Sequence, residues 1–150
     1  MSERYFEDYP PGAVFTAGAT TTVSADDIIE FARKYDPQPM HTDPDAAARG
    51  QFGGLIASGW HTGAMMMRLL ADGFLSPQSS VASPGLDELR WLKPVRPGDT
   101  LSLRVTILEA RPSRSRPEQG VVRSHVEVLN QRGEPVMSLK PISLVRRRPR

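Results

Sequence analysis

A chain of 150 residues with 39 % apolar and 24 % charged side chains has the size and composition of one soluble globular domain, residues 1–150. It has no cysteine, which excludes disulfides, thiolate nucleophiles and cysteine-ligated zinc, and no apolar run reaches the length of a membrane span. The net charge is +2, but residues 146–150, "RRRPR", hold four arginines, and without them the rest of the chain carries −2, so a nucleic-acid surface is not expected.

That basic tail reads as a solvated terminus. At the other end "MSERYFEDYPPG" lacks the apolar core of a signal peptide, so a cytoplasmic protein is the expectation. The stretch "YFEDYPPGAVFTAGATTTV" reads as a leading loop and a strand over about Val14 to Val23. "SADDIIEFARKYDP" predicts a helix. Ser24 and Asp27, three residues apart, resemble a capping box; Ile28, Phe31, Ala32 and Tyr35 share one face; and Asp36-Pro37 ends it, because a residue before proline avoids the α conformation.

Asp43 as N-cap and Pro44 at the first helical position predict a short helix to Arg49, closed by Gly50. The six residues between, "DPQPMH" from Asp36 to His41, are expected to be a tight linker stiffened by two prolines. From Gly59 or Trp60 to about Ala71 the chain is apolar nearly all round, which predicts a buried central helix. Gly53, Gly54 and Gly59 allow close backbone approach around its start.

The second half reads as strands: "LDELRWLKPV", a turn "RPGD", "TLSLRVTILEA", a long polar connection "RPSRSRPEQG", "GVVRSHVEVL", a turn "NQRG", and "EPVMSLKPISLV". Leu101, Leu103, Val105 and Ile107 alternate with polar residues, as one buried sheet face requires. One helix wrapped by an antiparallel sheet is the architecture these elements predict.

Asp36 and His41 are the candidate catalytic pair. A carboxylate and an imidazole held close together can grip one water, and fixed separation is what catalytic groups need. The start of the central helix is the second candidate, since its free N–H groups and dipole favour a developing oxyanion. Ser58 reads as the cap of that helix; as a nucleophile it lacks a G-x-S-x-G elbow and a Ser–His–acid set. His61 reads as a first-turn polar residue and His125 as a solvent-facing strand residue. Met65 to Met67 read as core, though methionines also suit a flexible acyl channel.

"FARKYDPQPMHTDPDAAARGQFGGLIASGW" and "RWLKPVRPGDTL" together resemble the MaoC-like dehydratase family, which includes the (R)-specific enoyl-CoA hydratases. The most specific part is Asp36, Pro39 and His41. The resemblance covers most of the chain and implies an α+β hot-dog fold, an antiparallel sheet around a long central helix. It implies that Asp36 and His41 activate a water for addition to the double bond of a 2-enoyl-CoA thioester, giving the (R)-3-hydroxyacyl-CoA. Asp36, desolvated beside the acyl channel, is expected to be the principal base, with His41 holding the water.

By the same resemblance the Gly59 N–H receives the thioester carbonyl oxygen, with Ser58 and Trp60 beside it as oxyanion and substrate-binding candidates. The CoA is carried by the substrate, no metal or further cofactor is implied, and a homodimer or higher homo-oligomer is expected. Arginines of the tail are candidates for the nucleotide phosphates. Two departures bear on substrate preference: Gln38 stands where many family members have asparagine, and Ser58-Gly59 where many have His-Gly. A hot-dog thioesterase and a non-catalytic acyl-binding subunit are the alternatives, and the Asp36–His41 pair favours hydration over both.

Overall fold

The computed structural model describes residues 3–16 and 18–150. Its sheet is built by the alternating second half: β3 (Ser80–Trp91), β4 (Thr100–Pro112), β5 (Gln119–Leu129) and β6 (Pro135–Arg146), with short β1 (Val14–Thr16) and β2 (Thr21–Thr22) added from the N-terminal side. The order is β1-β4-β5-β6-β3, β2 also pairs with β4, and every pairing is antiparallel. Leu101, Leu103, Val105 and Ile107 on β4 and Val122, Val126 and Val128 on β5 point to one face and are buried. Each such side chain contributes about 1.5–3 kcal/mol relative to exposure.

Against that face lie the helices α1 (Ala25–Tyr35), α2 (Pro39–Thr42), α3 (Pro44–Ala48) and α4 (Gly59–Gly73). Met66, Leu69 and Leu70 of α4 and Ile28 of α1 enter the same core. This is the α+β hot-dog arrangement the resemblance implied. Among the described residues no helix is long and apolar enough to cross a membrane, and no cluster of three potential metal ligands occurs.

Several expectations need correction. The strand over Val14 to Val23 is two short strands, and Ala17 between them lies outside the described residues. The expected Asp36–His41 linker is partly helical, because Pro39, whose fixed φ suits a first helical position, starts α2 there. Strand β3 begins at Ser80, before "LDELRWLKPV", and the polar connection shrinks to 113–118 because β4 and β5 pair as far as Pro112 with Gly120. Helix α4 is not buried all round: Trp60 is 62 % and Met67 47 % exposed.

The tail is another. Arg147 and Arg148 do not fray but bind Glu7 and Asp8 near the N-terminus, and Arg148 lies over the Tyr5 ring. Val145 pairs with Ser80 whereas Met137 pairs with Trp91. At about 3.3 Å per residue the tail leaves β6 roughly 25 Å from the Trp91 end. Within one chain these arginines are therefore remote from the cavity described next.

Candidate active site

The end of α1 sets the first functional side chain. Ser24 Oγ accepts from the Asp27 N–H at 3.1 Å to start the helix, and the Asp36 N–H closes its last turn on Ala32 O at 2.8 Å. Asp36 then leaves the helical conformation, φ −154° and ψ 66°, as Pro37 demands. One turn of α2 brings His41 back toward it, and His41 Nε2 stands 3.4 Å from Asp36 Oδ2.

His41 is buried, and its Nδ1 lies 2.7 Å from the Ile56 carbonyl oxygen. A carbonyl only accepts, so Nδ1 carries the hydrogen and Nε2 of the neutral ring is left as an acceptor. Ile56 is itself fixed, its N–H bonded to Met40 O at 3.1 Å, while the next residue, Ala57, bonds Val95 O at 2.8 Å.

Asp36 accepts two further hydrogen bonds. The Gln38 amide donates to Oδ1 at 2.5 Å and the Ser58 hydroxyl to Oδ2 at 2.7 Å. Ser58 is fully buried and makes no side-chain bond to the backbone of α4, so its expected role as a cap is replaced by this contact 22 residues back. The Gln38 amide, then the Ser58 hydroxyl and the nearby His41 hold the Asp36 carboxyl below the usual carboxylate range, outweighing burial, which pushes the other way. Asp36 is thus ionised at neutral pH. Replacing Gln38 or Ser58 with alanine should raise the Asp36 pKa, read by 13C titration of its carboxyl carbon. An unchanged titration in both variants would mean that these donors do not set it.

When the His41 ring is neutral, its Nε2 and the Asp36 carboxylate both accept, so neither can then satisfy the other. A molecule with two hydrogens to give can satisfy both at once, and water is the smallest. Gly59 opens α4, and its N–H belongs to the first turn, which has no acceptor within the helix. A cavity of about 520 Å³ brings these groups together: Asp36, His41, Gly59 and Trp60 stand in its wall, with Trp91 and Leu92 beside them. Ser58 lies behind the wall and acts on it through Asp36.

Other expected residues lie elsewhere. His61 is buried with its ring stacked on Phe31, 4.8 Å between centroids at 11°, and its burial lowers its pKa. His125 is half-buried on the outer sheet face near Glu88 and Lys140. Of Met65 to Met67 only Met66 is fully in the core. Sequence reasoning missed Trp91, whose indole Nε1–H donates to Gly59 O at 2.9 Å and whose ring meets Trp60 edge-on at 5.1 Å. A glycine at a helix start signals that something approaches it, but not which residue.

A family model described as the MaoC like domain matches residues 7–130. The Bacillus subtilis protein called uncharacterized protein YdeM is 35 % identical over 127 residues, covering 84 % of this chain and 87 % of that one. Mesaconyl-CoA hydratase of Cereibacter sphaeroides is 34 % identical over 148 residues, 97 % of this chain but 42 % of the relative, so this chain spans less than half its length. Among solved structures, a MaoC-like dehydratase from Rhodospirillum rubrum is 43 % identical and superposes with a TM-score of 0.90 over 98 % of this chain and 99 % of that one.

Proposed function

This chain belongs to the MaoC-like dehydratase family, and on that premise we propose that it is a hydro-lyase, adding water to or removing it from the double bond of a 2-enoyl-CoA thioester. The observation that carries the reading is the pair of acceptors, Asp36 Oδ2 and His41 Nε2, 3.4 Å apart in one cavity with Gly59. A water giving one hydrogen to each presents its lone pair to the β-carbon. As the C–O bond forms, the double-bond electrons move toward the thioester oxygen, where the Gly59 N–H meets the developing charge.

With Asp36 held acidic by its donors, the carboxylate alone is a weak base, and in this reading the proton that leaves the water passes to His41 Nε2, 3.4 Å away in the same cavity. The carboxylate then faces and stabilises the imidazolium. This moves the base from Asp36, the expectation from sequence, to the pair led by His41. The same pair returns a proton to the α-carbon, so nothing is consumed beyond water. Hydroxyl and proton arrive from one side, which fits syn addition and the (R)-3-hydroxyacyl product the resemblance implies.

Mass spectrometry after mixing the protein with short enoyl-CoA thioesters tests the class. Gain of one water with CoA retained is expected. Release of the free thiol would make it a thioesterase, and no change with any thioester would favour a non-catalytic acyl-binding subunit.

A homodimer belongs to the same proposal. Strand β3 ends the sheet order, which leaves its outer edge open within the chain, and Val81 and Leu86 are exposed along it. A second copy pairing there would satisfy that edge and could cover the exposed Trp60 and Met67 of α4, burying about 1,000 Å² or more. Light scattering should give the mass of a dimer or a multiple of it. A stable monomer at micromolar concentration would end this part of the proposal.

A further inference from the structure

We propose that Trp91 is a positioning residue for the Gly59 N–H and the reason that position 59 is glycine. The inference rests on the hydro-lyase reading, in which that N–H meets the thioester oxygen. Trp91 ends β3, and its indole reaches across to the first residue of α4, donating to Gly59 O at 2.9 Å. A Cβ placed on Gly59 would stand 2.6 Å from the indole Nε1 and 2.8 Å from Cδ2, closer than unbonded atoms approach. Gly59 has no positive φ, so its backbone conformation is open to any residue. What demands glycine there is the ring.

Trp60 braces the assembly from outside, its ring edge-on to that of Trp91 at 80°. The Ser58–Gly59 peptide is then held from both sides. On one, the Ser58 hydroxyl is tied to Asp36; on the other, the indole is packed on the Gly59 Cα and bonded to its carbonyl. The donor N–H between them is fixed relative to the acid of the catalytic pair. Its contribution depends on that placement, since an error of about 1 Å in a reacting geometry costs on the order of 100-fold in rate.

The test is steady-state hydration of a short enoyl-CoA by wild type, Trp91→Phe, Trp91→Ala, Gly59→Ala and the Gly59→Ala/Trp91→Ala double variant. Trp91→Ala should lower kcat by about tenfold to 100-fold with KM nearly unchanged, because the donor acts mainly on the transition state. Trp91→Phe keeps a ring but loses the N–H and should fall between wild type and Trp91→Ala. Gly59→Ala should be worse than Trp91→Ala, and the double variant should be no worse than Trp91→Ala alone, because removing the ring makes room for the Cβ. Wild-type kcat in Trp91→Ala, a loss confined to KM, or a double variant showing the product of the two single losses would each overturn the proposal. If Gly59→Ala is too unstable to assay, its Tm should recover on adding Trp91→Ala, and failure to recover would overturn it equally. Failure of the hydro-lyase reading is seen separately, as a wild type that hydrates no enoyl thioester.

Discussion

Asp36→Asn and His41→Ala should each lower enoyl-CoA hydration by about 10²–10⁴-fold, the range for a general acid–base group. Asparagine keeps the size of the side chain, but its amide brings hydrogens where the water's own hydrogens should be accepted. Removing the imidazole takes away Nε2 and also leaves the Ile56 carbonyl without its partner, at a cost of about 1–3 kcal/mol in stability. His41→Asn is the better companion variant, since its amide can still donate to Ile56 while offering no Nε2. Thermal unfolding should precede each assay. Because both groups act on one water, the double variant should be little worse than the worse single one. Chiral analysis of the wild-type product should give the (R) isomer. Near-wild-type turnover in Asp36→Asn or in His41→Asn would refute the shared-water mechanism, and an (S) product would refute the stereochemical assignment.

The sequence and the structure part company wherever a long-range contact decides between local options. The periodic faces were legible in part: Ile28 and Ala32 are buried on α1 and Phe31 is half-buried, but Tyr35 at the end of the same face is 71 % exposed, whereas Leu101 to Ile107 are buried at alternate positions on β4 because burial repeats with the element's own period. Pro39 was ambiguous in a specific way. A proline stiffens a linker and equally opens a helix, and here it opens α2, which is what turns His41 toward Asp36. Ser58 has the right identity for a cap, but a carboxylate 22 residues earlier in the chain takes its hydroxyl. No local spacing could announce that.

The tail shows the same limit from the side of charge. Its arginines looked solvated because their acidic partners, Glu7 and Asp8, lie at the other end of the chain. Trp91 and Gly59 are 32 residues apart on a strand end and a helix start, so neither periodicity nor motif joins them. Of the candidate site, then, the acid, the imidazole and the helix start were readable. Gln38 and Ser58 were singled out too, but with other roles, and neither their hold on Asp36 nor that of Trp91 on Gly59 could be read in the sequence.

That holding structure changes how the Gly59 donor must be tested. Proline at 59 deletes the N–H while suiting a first helical position, so it looks like a clean knockout with alanine as its harmless control. Alanine is not harmless, because any Cβ there collides with the Trp91 ring, and proline carries one too. The comparison becomes clean once the ring is gone. In a Trp91→Ala background, Gly59→Ala should keep the activity of that background, whereas Gly59→Pro should lose a further 10²–10³-fold or so, the roughly 3–4 kcal/mol that one oxyanion donor contributes. The two variants share the added Cβ, and circular dichroism must show the same helix content in both. A loss concentrated in kcat identifies a donor that acts mainly on the transition state. Equal activity of the two well-folded variants would take the Gly59 N–H out of the mechanism and leave the thioester oxygen to another group in the cavity.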